Sequence, residues 1–368
     1  MQAPQFLHTL LTSSLSLIHA KRLQAVLDTV GALLSEKRLG LTALGRALPG
    51  PVATKHTIKR VDRLLGNPHL HRERPLFYWR IATLLIGHTT RPLILVDWSP
   101  IDNRGRHFLL RAAVPFAGRS LPIFEKVHHK DGCPRCEAYL LDALAEILPD
   151  GATPILVTDA GFRNPWFRAV EARGWYYVGR VRCPTLYQAP GEAWQAVKRL
   201  FQQATSVPRA LGPVQIAESH PLTTQMVLYH RPPQGRKHRN KRGRVSRDSG
   251  SRAIARRQKE PWVAGQQPAG SCHAGGEGGD DLPSAHADRD PALIVMLANV
   301  AMMVAGLDVR ARGQQRRYQS RHRNVLSVWR LGLECLRRYR PGAVPWPDWE
   351  TLQMRLREEV KEQALCDE

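Results

Sequence analysis

The chain is short of acidic residues. It has 368 residues, of which 32 are Asp or Glu and 54 are Lys or Arg, and its formal net charge is +22 at pH 7. A cationic excess of this size is the electrostatic signature of a polyanionic partner, and nucleic acid is the first candidate. A soluble protein with a basic surface and a membrane-surface protein are the alternatives. The charge is spread along the whole chain, which favours DNA or RNA.

Cysteines and long apolar runs are also scarce. Six cysteines are scattered along the chain and no secretory signal pattern is present, so we expect reduced thiols and a cytoplasmic protein. Cys133-Pro-Arg-Cys136 has the spacing of a zinc knuckle. No second pair follows at zinc-ribbon distance, which favours a turn over a metal site. The apolar run 292–307 has 16 residues, is short for a membrane span and predicts a buried helix.

The N-terminal part of the chain has a helical pattern. Apolar residues recur at spacings of three and four through residues 1–70. Within it, the segment KHTIKRVDRLLGN carries the basic residues Lys55, Lys59, Arg60 and Arg63. Such a basic helix contacts either a phosphate backbone or only solvent, and this segment by itself does not choose between the two.

A different pattern begins at Pro92. Three strand-like runs, a helix, a strand, a helix and a strand follow in order, which predicts a mixed sheet with helices against it. Residues 185–230 indicate further β structure. Residues 231–259 carry 12 Lys or Arg and one acidic residue. This run is either disordered or a loop along phosphates, and the basic chain favours the loop. Its predicted DNA contacts are Arg236, Lys237, Arg239, Lys241, Arg242 and Arg244.

Two aspartates carry the chemical signal. Asp97 follows the apolar run LILV and Asp159 follows PILVT, so we predict that each ends a strand. If the two strands pair, both carboxylates emerge at the same end of the sheet. Close carboxylates repel unless a cation lies between them, and two Mg²⁺ ions about 4 Å apart would act on a phosphodiester. Strand-end aspartates are also common turn formers, which is the alternative.

Residues near these aspartates allow more than one role. Phe162 and Trp166 could stack on a flipped base, although aromatics on a helix that follows a strand more often belong to the core. Glu125, His128 and His129 end a strand, and we expect them to face solvent or to support the site. The segment VLSVWRLGLECLRRYR predicts a basic amphipathic helix that either touches DNA or closes the core.

Six segments together resemble the DDE insertion-sequence transposases of the IS-four type. They are KHTIKRVDRLLGN, ILVDWSPID, VTDAGFRNPWF, GWYYVGRVR, RGRVSRDSGSR and VLSVWRLG, and the resemblance covers nearly the whole chain except 275–291. It implies an α/β fold with an RNase H-like mixed sheet, flanking helices, a helical N-terminal DNA-binding region and a β-rich insertion. It also implies Mg²⁺-dependent cleavage and strand transfer of transposon ends. Asp97 and Asp159 match the first two acids of the catalytic, metal-binding triad.

The resemblance also implies domain boundaries and partners. The expected segments are a helical DNA-binding region, 1–75; the first part of the core, 90–184; a β-rich insertion with a basic loop, 185–262; an aberrant, disordered segment, 263–291; C-terminal helices of the core, 292–345; and a tail, 346–368. The expected partners are double-stranded DNA, as terminal inverted repeats and target, and a second copy of the chain on that DNA. No membrane is expected, and the protein would lie on the bacterial nucleoid.

The third acid of the triad is missing. Family members carry it in a helix with the pattern Tyr-x-x-Arg-x-x-x-Glu. The match at Tyr318 and Arg321 has Val325 where the glutamate belongs. No residue of this chain is therefore assigned as the third acidic ligand, and the two-metal site is incomplete.

The genetic code offers an explanation for the missing acid. Read one base later, GGDDLPSAHADRD (278–290) can encode VVMIYRRRMQIE, in which Tyr, Arg and Glu have the family spacing. The same shift lets EPW continue as EPWLLASNL, as the family does. We infer that a base was gained just after Trp262 and that the frame recovers near Pro291. A genuine Gly/Asp linker is the alternative, which composition alone favours.

Three functions remain open at this point. The first is a transposase that cleaves DNA with Mg²⁺. The second is a transposase relic that binds DNA without cutting it, because the third acid is lost. The third is an RNase H-like nuclease, which would share the first two aspartates and is ranked last because the resemblance extends into the flanking domains.

Overall fold

The computed structural model describes most of the chain. The described residues are 7–8, 11, 17–101, 106–116, 119–129, 135–230, 261–266, 291–318, 326–338, 351 and 354–355. They form a mixed α/β structure that contains ten strands. The chain separates into two compact units: unit 1 is Met1–Ala152 with Gly279–Glu368, and unit 2 is Thr153–Gly278.

After an all-helical beginning, the chain forms runs of strands with helices between and after them. In unit 1 they are α1 Ala20–Glu36, α2 Leu41–Ala47, α3 Thr54–Leu65, α4 Pro68–Ile86, β1 Leu93–Pro100, β2 His107–Phe116, β3 Arg119–His129 and α5 Cys136–Ile147. In unit 2 they are β4 Ile155–Thr158, α6 Asn164–Glu171, β5 Tyr176–Val181, β6 Leu186–Gln188, β7 Gln195–Ala196, β8 Arg209–Ile216, β9 Leu222–Tyr229 and β10 Trp262–Gln266. Unit 1 resumes with α7 Ala292–Ala311 and α8 Val328–Arg338.

The helical beginning of unit 1 confirms the predicted pattern and extends beyond it. A Cβ on Gly45 would lie 2.5 Å from the Cα of Ile58, so glycine at this position permits the close approach of α2 and α3. The Asn67 side chain accepts hydrogen bonds from the backbone N–H groups of His69 and Leu70 and caps α4. Helix α4 contains Pro75 and continues through an apolar second half, so the helical segment runs to Ile86, beyond the expected boundary at residue 75.

Three antiparallel strands form the centre of unit 1. Their order is β3-β2-β1, and helix α4 packs on α5 and on β3. The register of β2 with β3 shifts between Ala112 and Ala113, where Ile123 is an extra residue in β3 next to Pro122. Proline has no N–H to donate to the ladder, so an irregularity beside it is the expected outcome.

The cysteines in the described part of the chain differ in redox state. Cys183 and Cys335 carry free thiols, as the sequence predicts. Cys136, the first residue of α5, is disulfide-bonded. The expectation of reduced thiols is therefore wrong for Cys136.

Two helices complete unit 1 and make an unusually close crossing. Helix α7 packs on α8, α1 and β3. A Cβ on Gly306 would overlap the carbonyl oxygen of Val328, and a Cβ on Gly332 would overlap that of Met302. Glycine at these positions therefore lets the two helix backbones approach each other. The amphipathic segment around α8 closes the core, which is one of its two predicted roles, and it buries Val328.

Helix α7 is longer than the apolar run that predicted it. It has 20 residues, and within the described residues it is the one helix whose length and composition would allow it to cross a membrane. In the fold, 83% of its apolar window is buried against the rest of the protein. The prediction of a buried helix is confirmed, and such burial is typical of a core helix.

Unit 2 is mostly β structure. Its strands follow the order β4-β5-β10-β9-β8-β6-β7, with β4 and β5 parallel and the remaining neighbours antiparallel. Helix α6 packs on β5, where a Cβ on Gly179 would overlap the ring of Phe167. The predicted β structure of residues 185–230 is confirmed. A 3₁₀ helix, Val197–Gln203, interrupts it and buries two apolar side chains.

The predicted start of the aberrant segment in unit 2 is wrong. The aberrant segment was expected to begin at residue 263, but Val263 to Gln266 belong to strand β10. Val263 is fully buried between β5 and β9, and Gly265 fits against Thr224, where a Cβ would lie 2.9 Å from the threonine hydroxyl oxygen. Residues 267–290, on which the rest of that prediction falls, lie outside the described residues, as do 231–260.

Candidate functional site

Asp97 lies inside a strand of unit 1 rather than at its end. Strand β1 alternates, with Ile94 and Val96 buried and Asp97 exposed on the other face. The strand continues for three residues beyond Asp97, because its pairing with β2 extends to Pro100 opposite Phe108. The expectation that Asp97 terminates its strand is therefore wrong, although its carboxylate is accessible.

Asp97 belongs to a row of charged residues that crosses three strands. Asp97 is paired with Arg111 on β2, and Arg111 is paired with Glu125 on β3. Neighbours across antiparallel strands share one face of the sheet. The Nε of Arg111 donates to Oε1 of Glu125 at 2.5 Å, and the hydroxyl of Ser99 donates to Oδ2 of Asp97 at 2.7 Å. The row alternates carboxylate, guanidinium and carboxylate, so Arg111 separates the two acids.

Glu125 and His128 were each expected either to face solvent or to support the site. The structure excludes the solvent-facing role for these two residues. Glu125 is 2% exposed and His128 is 8% exposed, whereas His129 is exposed. A buried carboxylate requires a compensating charge, and Arg111 supplies one through the contact above. No local sequence signal points to this pair, since Arg111 and Glu125 stand 14 positions apart in the chain.

The surroundings of His128 keep its imidazole neutral. Burial and, to a smaller extent, the charge of Lys126 together lower the pKa of His128 from 6.5 to about 4. Its ring meets that of Trp98 edge to face, with 5.7 Å between the ring centres. The indole N–H of Trp98 donates to Glu137 at 3.4 Å, and burial raises the pKa of the Glu137 carboxyl. Trp98, which follows Asp97, thus contacts His128 on β3 and Glu137 on α5.

Asp159 follows the last residue of strand β4 in unit 2, as the sequence predicts. The backbone N–H of Gly161 donates to Oδ1 of Asp159 at 2.8 Å, which closes a tight turn. A Cβ on residue 161 would lie 2.9 Å from the same oxygen, so this turn favours glycine. The Asp159 carboxylate is exposed, with one oxygen engaged by the turn.

A cavity of about 820 Å³ opens beside Asp159 within unit 2. Its lining includes Arg163, Arg180, Arg182 and His220 in addition to the aspartate. Cations therefore outnumber the acid, and the cavity suits an anionic group. Side chains of α6 hold the backbone at His220 and Pro221, beside the cavity. There the side-chain amide of Asn164 donates to the carbonyl oxygen of His220 at 2.7 Å, and the guanidinium of Arg168 donates to that of Pro221 at 2.6 Å.

The aromatic residues near Asp159 belong to the core. Phe162 is 3% exposed and Trp166 is 2% exposed, and their ring centres are 4.9 Å apart. Side chains with so little exposed surface cannot stack on a base without local rearrangement. Of the two roles that the sequence left open for them, the structure supports packing.

The predicted basic helix presents a cationic face to solvent. Lys55, Lys59, Arg60 and Arg63 are all exposed on α3, while Thr57, Val61, Leu64 and Leu65 form its buried face. At about 100° per residue, Lys55, Lys59 and Arg63 form one stripe opposite the buried face. Arg60 lies beside this stripe, and its Nη2 contacts Asp28 of α1 at 2.6 Å.

The other predicted site residues fall on a different part of the chain. The DNA contacts assigned to the basic loop, Arg236, Lys237, Arg239, Lys241, Arg242 and Arg244, lie outside the described residues. Within the described part of the chain, no group of three or more His, Cys, Asp or Glu side chains could hold a metal ion.

The two aspartates meet only part of what Mg²⁺ requires. Both are exposed carboxylates, and hard oxygen atoms are the ligands that Mg²⁺ prefers. The row on β1 to β3 contains a second carboxylate, Glu125, but that acid is buried and contacts a guanidinium. The described residues thus offer the right ligand chemistry for Mg²⁺ without a complete ligand set.

Comparisons with known proteins assign no family to this chain. No protein-family model matches it, and no curated protein matches it. What the fold and these side chains define is a mixed α/β protein with a basic N-terminal helix and two exposed aspartates, one within β1 and one directly after β4.

Proposed function

We propose that the chain is a transposase of a DDE-type insertion sequence, which binds transposon-end DNA for Mg²⁺-dependent cleavage and strand transfer. The order of elements carries the proposal: three antiparallel strands with Asp97 in the first, a helix, a strand followed by Asp159, a helix and a parallel strand. An RNase H-like core has this order, and the motifs around both aspartates resemble those of the family.

The proposal assigns separate roles to the carboxylates and to the basic surfaces. Asp97 and Asp159 are the acids of the cleavage site, and their exposure supports this role. The stripe of Lys55, Lys59 and Arg63 on α3 contacts the phosphate backbone of double-stranded DNA. Lys and Arg side chains on phosphates release counterions, so binding through such a stripe weakens as salt rises.

A second candidate function follows from one sequence observation. Val325 stands where the Tyr318 and Arg321 match requires a glutamate, and the full pattern Tyr-x-x-Arg-x-x-x-Glu occurs nowhere in the sequence. Loss of one ligand from a two-metal site removes both positioning and charge stabilisation. On this proposal, the present copy is a DNA-binding relic that occupies transposon ends without cutting them.

Two assays on the full chain test and separate these functions. Fluorescence anisotropy with a duplex DNA, at several salt concentrations, measures binding. Nicking of a supercoiled plasmid, with Mg²⁺ or with a chelator, measures cleavage. The variants are Asp97→Asn and Asp159→Asn. Asp150→Asn serves as the control, because it changes the net charge equally at a turn that has no part in the proposed site.

Each result has a distinct meaning. Mg²⁺-dependent nicking that both site variants abolish and Asp150→Asn preserves would establish the enzyme. Salt-dependent binding without nicking would establish the relic. If the wild-type chain shows no salt-dependent binding to DNA, both functions are wrong.

A further inference from the structure

A second cavity lies within unit 1, lined by strands β2 and β3 and by helices α7 and α8. Its volume is about 640 Å³. Three arginines line it, Arg111 from β2, Arg119 from β3 and Arg330 from α8, and none of its lining residues is acidic among those the structure describes. The three guanidinium groups bring positive charge to the cavity, and the carboxylates that Arg111 and Arg330 contact, Glu125 and Glu334, are not among its lining residues. The arrangement therefore points to an anionic ligand.

Each of these arginines is oriented by a neighbouring side chain. Arg111 Nε contacts Glu125, the guanidinium of Arg119 lies 6.0 Å from the ring centre of Trp329, and Nη2 of Arg330 lies 3.0 Å from Oε1 of Glu334. A guanidinium has five N–H donors in a planar fork. The contacts that orient these three side chains thus leave donors available for a ligand, and a forked donor set matches the oxygen atoms of a phosphate.

Polar groups complete the lining. Asn299 is a half-buried amide within the apolar part of helix α7, residues 292–307, and Ser120 lines the cavity from β3. Ser327 precedes α8, and its hydroxyl oxygen accepts a hydrogen bond from the N–H of Arg330 at 3.4 Å. The cavity therefore adjoins the N-terminus of an 11-residue helix, whose dipole adds to the positive potential of the arginines.

The cavity is linked to Asp97 through the row of charged residues. Arg111 is at once a lining residue of the cavity and the register partner of Asp97 on the neighbouring strand. Residues paired in this way lie about 5 Å apart. A phosphate held by the cavity would therefore lie close to the strand that carries Asp97.

We propose that this cavity binds a backbone phosphate of a DNA strand and so holds the strand beside Asp97. The chemistry, a phosphate group among three arginines, follows from the cavity alone. The source of that phosphate, DNA, rests on the proposed function. The contact adds a second DNA-binding surface to unit 1, separate in sequence from the basic stripe of α3.

The full-length chain offers a matched set of variants. Arg330 and Arg337 both lie on α8 and both contact Glu334, at 3.0 Å and 3.7 Å, but only Arg330 lines the cavity. Arg330→Gln and Arg337→Gln thus remove the same charge and one contact to the same carboxylate. Arg119→Gln tests the opposite wall. Arg111 is left unchanged, because its loss would leave Glu125 buried without that cation.

The measurement is the affinity for duplex DNA as a function of salt, with circular dichroism to show that each variant is folded. We expect Arg330→Gln and Arg119→Gln each to lower the slope of log affinity against log salt by about 0.9 and to weaken binding about threefold at fixed salt. Arg337→Gln should have the slope of the wild-type chain. If all three variants behave alike while the wild type binds DNA, the cavity is not a DNA contact and only this inference fails.

A second readout separates this inference from the proposed function. Thermal unfolding with inorganic phosphate, against chloride at matched ionic strength, tests the cavity without DNA. If the wild type binds no DNA but phosphate raises its Tm, and Arg330→Gln removes that rise, a free phosphate is the ligand and DNA is overturned as its source. If phosphate raises the Tm of neither chain and DNA is not bound, both the cavity site and the proposed function are overturned.

Discussion

At the scale of single residues, two ionisable side chains are buried near Asp97. Glu125 and His128, both on β3, are almost completely buried, and each has a different solution to the cost of burial. Glu125 stays with the cation of Arg111, whereas His128 gives up its proton. The neutral imidazole of His128 packs edge to face against Trp98, the residue that follows Asp97.

The neutral state of His128 predicts a loss of stability in mild acid. Its pKa is about 4 in the folded chain and 6.5 ordinarily, so the unfolded chain takes up the proton first as the pH falls. The contribution is complete above pH 6.5 and is lost between that pH and 4. Between pH 7 and pH 5 we expect a decrease of about 2 kcal/mol in the free energy of unfolding from this residue.

Urea unfolding at both pH values measures this loss. His128→Gln should show a smaller decrease than the wild type, because glutamine does not titrate. His129→Gln is the control, since that side chain is exposed and its substitution should leave the decrease unchanged. Equal decreases in the wild type and His128→Gln would show that His128 is already charged in the fold.

At the scale of elements, α3 has two faces with different roles. The buried face packs into unit 1, and the opposite stripe of Lys55, Lys59 and Arg63 is exposed. Replacement of all three by Gln should lower the salt dependence of DNA binding by about 0.9 for each phosphate that the stripe no longer neutralises. Anisotropy at several salt concentrations measures the change.

A control for the stripe removes equal charge elsewhere. Lys198, Arg199 and Arg209 are exposed residues of unit 2, and their replacement by Gln should leave the salt dependence nearly unchanged. Arg60→Gln should have a smaller effect than any change in the stripe, because Arg60 already contacts Asp28. If both triple variants weaken DNA binding equally, the stripe has no special role and binding depends on net charge alone.

The crossing of α7 and α8 predicts that position 332 does not tolerate any residue larger than glycine. A methyl group at residue 332 would overlap the carbonyl oxygen of Met302, and backbone cannot move aside cheaply. We expect Gly332→Ala to lower the free energy of unfolding by about 3 kcal/mol. Gly40→Ala, at a position with no neighbouring atom within 4 Å, should change it by less than about 1 kcal/mol. Thermal denaturation of the two variants provides the comparison, and a tolerated alanine at 332 would contradict this crossing.

At the scale of the whole molecule, function depends on a segment whose reading frame is in question. A chain in which residues 278–290 are replaced by VVMIYRRRMQIE regains the Tyr, Arg and Glu spacing of the family. We expect it to nick plasmid DNA with Mg²⁺ faster than the present chain, because the third acid completes the ligand set. Asp97→Asn in the same background should abolish the nicking, because the third acid acts only with the other ligands.

Two checks accompany this prediction. The same replacement with Gln in place of its final Glu should be inactive, which separates the acid from the restored segment as a whole. Sequencing of the gene from the codon of Trp262 to that of Pro291 should show whether the extra base is present. An inactive replaced chain, together with a correct frame, would leave the DNA-binding relic as the function.

Local patterns in the sequence determined much of this protein. Short apolar runs bounded by turn residues predicted β1 to β5. Apolar spacing of three and four predicted the N-terminal helices, because it places the apolar side chains on a single helix face. The exposed stripe of α3 and the turn after Asp159 also follow from local residues. The RNase H-like core, the transposase function and the Mg²⁺ site remain predictions.

Tertiary structure alone decided the partners of Arg111. Counted back from the pair of Phe116 with Arg119, a regular hairpin would place Arg111 opposite Phe124. The extra residue in β3 beside Pro122 shifts the register by one and places Arg111 opposite Glu125 instead. A one-residue shift moves every later side chain to the other face, and although an irregularity beside Pro122 is expected, the sequence does not say which strand gains the residue. The contact of Arg111 with Glu125, and with it the charged row that leads to Asp97, therefore depends on a register that only the folded strands set.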